Sequence, residues 1–196
     1  MFNFVALILF LFFSVGCEHV YQGSGYVVHN DRESMDFAWG WYDKNNYDRA
    51  IEMSETALKI NPESIDALTL IALIQIKRNQ LDTSIATLEK AKEISERKNL
   101  PDRDYIYCKL GIAYFKKNEF SNALSVFEEA KKSRKDAYGV ESQIAMTYWM
   151  LGDKDRAIEA MKSCKVKGGT KKEFFEFLTD FSFDSKPFDE LITAVF

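Results

Sequence analysis

Two histidines, His19 and His29, and three cysteines, Cys17, Cys108 and Cys164, are the side chains of this 196-residue chain best suited to metal binding, proton transfer or nucleophilic attack. Both histidines fall in EHVYQGSGYVVHN (18–30), so the rest of the chain can build no Ser/His/Asp or Cys/His arrangement. No second cluster stands at metal-ligand spacing from them. The Gly168-Gly169 pair lacks the Lys-Ser/Thr context of a phosphate loop. Carboxylate pairs such as Glu128-Glu129 belong on solvated helix surfaces. A net charge of −4 argues against non-specific nucleic-acid binding. Neither a cofactor nor a catalytic centre is expected, and the protein reads as non-enzymatic.

What the sequence carries instead is spacing. In KLGIAYFKKNEFSNALSVFEEA (109–130), Leu110, Ile112, Ala113, Tyr114 and Phe115 lie in one apolar run at helical period. Ala123, Leu124, Phe127 and Ala130 form a second run, and the polar Lys116-Lys117-Asn118-Glu119 between them can turn. Gly111 costs about 1 kcal/mol against alanine inside a helix, so it needs a packing reason. Close approach of a neighbouring helix supplies one. The pattern returns 34 residues later, with Ala145, Tyr148, Ala157, Met161 and Cys164 in the places of Gly111, Tyr114, Ala123, Phe127 and Ala130. Upstream, Ala72, Ser84, Leu88 and Ala91 keep the register, as do Ala38, Trp41, Ala50 and Ala57 a further 34 residues back. Five extra residues lie in SERKNLPDRD (95–104), where Pro101 forces a break. One helix pair cannot bury its apolar face alone, but stacked pairs share a core.

This small/large pattern at a period of 34 resembles the tetratricopeptide repeat over about residues 32–165. The third copy is the nearest match, with Tyr107, Leu110-Gly111, Tyr114, Ala123, Phe127 and Ala130, while Pro62 closes the first. The resemblance implies an all-α fold, a right-handed α-solenoid of about four helix pairs. The copies span about 32–64, 65–98, 104–137 and 138–168.

The two ends depart from the repeat. Phe2–Val15 is apolar and 14 residues long. It would give ~21 Å of helix against a ~30 Å hydrocarbon core, which suits a secretory h-region rather than a membrane span. Ser14-Val15-Gly16 before Cys17 resembles the lipobox of bacterial lipoproteins. That resemblance implies a signal peptide over 1–16, acylation of Cys17 and a stable lipid anchor. The alternative is an ordinary signal peptide cut near Gly16 that leaves Cys17 free. Residues 17–31 read as a flexible tether. At the other end, TKKEFFEFLTD (170–180) reads as a helix opened by Thr170. Ser185 is placed to cap a final helix with Pro187 in its first turn. Residues 170–196 would cap the last open face of the array, as repeat proteins require. A membrane-binding role for their phenylalanines is opposed by the interleaved Glu173, Glu176, Asp180 and Asp184. Cys164 stands at a packing position and reads as a small buried hydrophobe. A disulfide from it to Cys108 would need an oxidising compartment.

By resemblance, the first helix of each pair lines an inner groove. Carried onto this sequence, that face takes Met35, Trp39 and Tyr42 from the first copy, then Leu73, Ile76 and Lys77 from the second. Tyr105, Cys108, Ile112, Phe115 and Lys116 come from the third, and Ser142, Met146, Trp149 and Met150 from the fourth. The face is apolar and aromatic where a solvated array would be polar. The Lys/Asn clamp with which some family members hold an acidic peptide C-terminus is missing. Exposed apolar surface marks an interaction site, and Tyr and Trp are common anchors. The expected function is a scaffold or adaptor lipoprotein at a bacterial envelope membrane, outer rather than inner, with its domain in the periplasm or at the surface. Its groove would take a segment of a protein partner. The alternative is a self-assembling structural protein whose groove is filled by its own tether or by a second subunit.

Overall fold

A computed structural model describes residues 21–23, 26–28, 30–100, 103–133 and 138–196. The apolar leader, Cys17, both histidines and Pro101 lie outside the described residues. The chain divides into two compact units, one ending at Pro62 and the other running from Glu63 to Phe196.

The first unit holds a short antiparallel ladder and one helix pair. Strands β1 (Tyr21–Gly23) and β2 (Tyr26–Val28) pair with Tyr21 opposite Val28. Part of the segment read as a tether therefore has regular backbone pairing. Helix α1 (Asp31–Asp43) starts at Asn30, whose side chain accepts from the Glu33 amide, and packs against α2 (Tyr47–Ile60). The Ser34 hydroxyl donates to the Met53 carbonyl at 2.6 Å and ties the two helices together without leaving a buried donor unpaired.

The second unit stacks three pairs: α3 (Ile65–Lys77) with α4 (Leu81–Arg97), α5 (Arg103–Lys116) with α6 (Phe120–Ser133), and α7 (Tyr138–Met150) with α8 (Lys154–Val166). The small residues that set the period are the helix contacts. Ala72, Ala91, Ala123, Ala130, Ala145 and Ala157 have no exposed surface. A Cβ added to Gly111 would land inside the Phe127 ring. Ser84, which stands at an alanine position, donates to the Ala72 carbonyl at 3.0 Å and so occupies a buried site without penalty.

The turns repeat as faithfully as the core. Asn45, Asn79, Asn118 and Gly152 have positive φ, between 57° and 83°, at the end of the first helix of each pair. Each donates its amide three residues back, and the next residue donates five residues back: Asn118 to Phe115 and Glu119 to Tyr114, for example, both at 2.9 Å. This is the Schellman motif, in which a left-handed residue lets two orphan carbonyls be satisfied. Asparagine and glycine are the residues that tolerate that backbone.

Beyond the repeats, Thr170 and Glu173 form a reciprocal capping box that opens α9 (Lys171–Asp180). The final helix differs from its sequence reading. Lys186–Phe188 is a single 3-10 turn, and only then does α10 (Asp189–Val195) begin. Ser185 makes no side-chain cap; the Asp184 carboxylate accepts from the Lys186 amide instead, at 3.0 Å. Helix α10 packs on α8, where Lys165 donates to the Val195 carbonyl.

Candidate functional site: the face shared by α3, α5 and α7

The first helices of the second unit carry apolar residues on two faces, and both of those faces are covered. One face meets the second helices. The other carries the candidate groove. The sequence leaves the tether or a second copy as ways to fill it; the structure covers it with the chain's own C-terminal segment. Phe115 is the centre of this contact. Its ring lies 5.2 Å from Phe183 edge-on, 5.2 Å from Phe120 and 6.4 Å from Phe188. Ile112, Phe115 and Met146 close against Phe177 and Phe183, with Phe127 and Gln143 behind them, leaving no room for water.

Three lysines edge this apolar contact. Lys116 donates to the Phe181 carbonyl at 2.6 Å and stands 5.2 Å from the Phe183 ring centre. Lys77 donates to the Asp180 carbonyl at 3.1 Å. Lys109 lies between the Tyr105 and Phe181 rings, at 4.8 and 5.2 Å. Burial pushes the Lys109 ammonium below its ordinary range; Cys108 and Asp180 oppose that shift, and Lys77 adds to it. Burial, then the charge of Lys77, does the same to Lys116. A cation over an aromatic face is worth ~0.5–2 kcal/mol according to its desolvation. The lysines therefore grip the tail by its carbonyls and rings.

The tail is shaped for this seat. Helix α9 ends in its own Schellman turn: Ser182 takes φ +54°, its amide donates to Thr179, and Phe183 donates to Leu178 at 2.8 Å. The turn brings Phe181 and Phe183 to the same side, and Phe177, Phe181 and Phe183 pack on one another at 5.2–6.4 Å.

Of the sequence-predicted residues, Ile112, Phe115, Lys116, Met146 and Lys77 meet the C-terminal segment, and Met150 lines a cleft beside it. Tyr105 is linked to it by Lys109, which lies over both the Tyr105 and Phe181 rings. Leu73, Ile76 and Ser142 are buried. Trp149 faces a cation, Lys154, at 4.8 Å. In the first unit, Met35 is buried, and Trp39 and Tyr42 meet edge-on at 5.5 Å. No disulfide joins Cys108 to Cys164. Sequence reasoning missed Lys109, Phe120 and Gln143, and it placed the phenylalanines of the tail on the end of the array rather than in its groove. Among the described residues, no group of His, Cys, Asp and Glu could hold a metal ion. No helix among them is long and apolar enough to cross a membrane.

Helix pairs stacked at a nearly constant period, with Schellman turns in register, define an α-solenoid repeat protein. The family model for the TT21 fifth ARM repeats domain matches residues 34–151, more than half of the chain, and the tetratricopeptide repeat model matches 142–165; the chain belongs to this helical-repeat family, as a tetratricopeptide-repeat protein. It is 26% identical over 151 residues to Tetratricopeptide repeat protein 1 of Schizosaccharomyces pombe, covering 76% of this chain and 13% of that one. It is 31% identical over 100 residues to the STIP1 homolog of Dictyostelium discoideum, covering 49% and 17%. The chain thus spans under a fifth of the length of these curated relatives. Among solved structures, TTC0263, a thermophilic TPR protein of Thermus thermophilus, superimposes with a TM-score of 0.64 at 22% identity, over 84% of this chain and 87% of that one. MamA gives a TM-score of 0.63 at 18% identity, over 70% and 78%. These two likenesses show the fold.

Proposed function

We propose that the protein is a non-enzymatic adaptor whose α3/α5/α7 face docks a segment of a protein partner, and that Cys17 anchors it by acyl chains to a bacterial envelope membrane. The observation that supports docking is that this face already receives a peptide segment, gripping its backbone carbonyls with Lys77 and Lys116 and its phenylalanines with Phe115, Ile112 and Met146. A face built to hold chain in this way suits a segment supplied by another protein. The anchor rests on the apolar Phe2–Val15, whose last two residues open the Ser14-Val15-Gly16-Cys17 motif.

Affinity capture from gently solubilised membranes tests the docking. A partner held by the wild type and lost from a folded Phe115→Glu/Trp149→Glu variant supports it; the same partners on both overturn it. Acyl labelling tests the anchor. Cys17→Ser should abolish the label and release the protein from membranes, and unchanged labelling would refute the assignment.

A further inference from the structure

We infer that residues 177–188 are a built-in ligand of the α3/α5/α7 face, and that the partner presents the same chemistry: two phenylalanines one residue apart, at a turn, flanked by carboxylates. This rests on the docking function proposed above and names its ligand and its regulation. The tail reads FLTDFSFDSKPF (177–188).

Four observations carry the inference. The contact is specific rather than greasy: Lys77 and Lys116 donate to main-chain carbonyls of consecutive residues, Asp180 and Phe181, which fixes the register of whatever lies there. The charges are complementary, with Lys77, Lys109 and Lys116 on the face and Asp180 and Asp184 on the tail. Lysines partly stripped of water and set near one another favour an anion-bearing partner, and burial already depresses Lys109 and Lys116.

The fit is also incomplete. A cleft of about 310 Å3 remains between Phe115, Phe120 and Met150 on the face and Phe183, Pro187 and Phe188 on the tail. A ligand with a bulkier side chain there would gain contacts that the tail does not make. Finally, the tail is held at a cost. Ser182 sits in left-handed backbone that residues with a Cβ disfavour. The connection back to α8 runs through Gly168 at φ +99° and Gly169, after which α9 is held by its own capping box. The segment is anchored at both ends, by the connection to α8 and by α10 packed on α8, so a better ligand would have to displace only the strained, imperfectly fitted stretch between them. The closed tail lowers apparent affinity by the fraction of open molecules, so it sets a threshold for docking.

The test uses a fluorescent peptide of sequence FLTDFSFDSKPF and the full chain in mild detergent, read by anisotropy. The peptide should bind a Phe181→Ser/Phe183→Ser chain at least ~10-fold more tightly than the wild type, whose face is occupied. Adding Phe115→Glu to that variant should abolish binding, as should replacing both phenylalanines of the FSF core of the peptide by serine. Equal binding to wild type and variant, or none to a folded variant, would overturn the inference. If the double variant fails to fold, Phe183→Ser alone takes its place. Sedimentation adds a second arm: a monomeric wild type supports closure within one chain, and a dimer that the tail variant dissolves would mean a second copy supplies the plug. A partner captured in a groove-dependent way, with no peptide binding, would keep the docking function and discard this ligand.

Discussion

Helix α5 has two faces that follow different rules. Toward α6, Leu110, Gly111 and Ala113 are buried at places fixed by the repeat, and Phe127 lies directly over Gly111. Toward the tail, Lys109, Ile112, Phe115 and Lys116 meet Phe177, Phe181 and Phe183, residues that belong to no repeat. The first face is a contact every copy must make, so its residues are small and interchangeable between copies. The second is made once, by one copy, with one segment. Stability resides chiefly on the first face; in the function proposed above, recognition belongs to the second.

That division can be broken in order of expected effect. Phe127→Ala empties the centre of the third pair and should cost ~3–5 kcal/mol, read by chemical denaturation. Gly111→Leu overpacks the same contact and should cost ~1–3 kcal/mol, lowering the melting temperature of the repeats. No loss from either would mean the α5–α6 contact is not the core. Phe183→Ala should cost less, ~1–2 kcal/mol, because the ring is only half-buried, and the loss should fall on the tail while the repeats stay folded. Amide exchange that rises only in residues 171–196 is the expected signature.

Two smaller effects sharpen the picture. Burial, with Glu141 and Glu173 nearby, pushes the Cys164 thiol from its ordinary 9.0 up to about 11. The folded state therefore holds a proton that the unfolded state releases. Its contribution is intact below pH 9 and is lost as the pH rises through about 11. Thermal melts of Cys164→Ala should lose that part of the alkaline decline; an unchanged profile would show that the thiol is not buried. Ser182→Gly should relieve the left-handed backbone and stabilise the seated tail by up to ~1 kcal/mol, since glycine adopts φ > 0 freely. Faster exchange of the tail in that variant would contradict the turn.

Much of the first face is legible in the sequence, and less of the second. The recurrence of Ala38, Ala72, Gly111 and Ala145 is a packing rule, and a packing rule leaves a periodic trace. The turns are readable too: Asn118 breaks the apolar pattern, and Asn45, Asn79 and Gly152 do the same in their copies. Lys109 leaves no trace, because a lysine on a helix reads as solvated until something is laid across it. Phe181 and Phe183 are visible as apolar residues, but nothing local says what they cover. The direction of a tail is a long-range fact: Phe181 meets Lys116 across 65 residues of chain. The apolar face and the phenylalanine-rich end each stand out in the sequence, and their mutual complementarity is the signal that could have joined them. Ser185 misleads in a different way: of the two amides an N-cap side chain could take, Pro187 has none and the Phe188 amide donates to the Ser185 carbonyl at 2.9 Å.

Hydrogen–deuterium exchange of the full chain, compared with Phe115→Glu, tests the central claim most directly. The account predicts that residues 171–195 of the wild type exchange slowly, at rates near those of α8, and that Phe115→Glu releases them while α5–α8 remain protected. A wild-type tail that exchanges within seconds beside protected repeats would contradict it: the face would then be open, and the tail would not be its ligand.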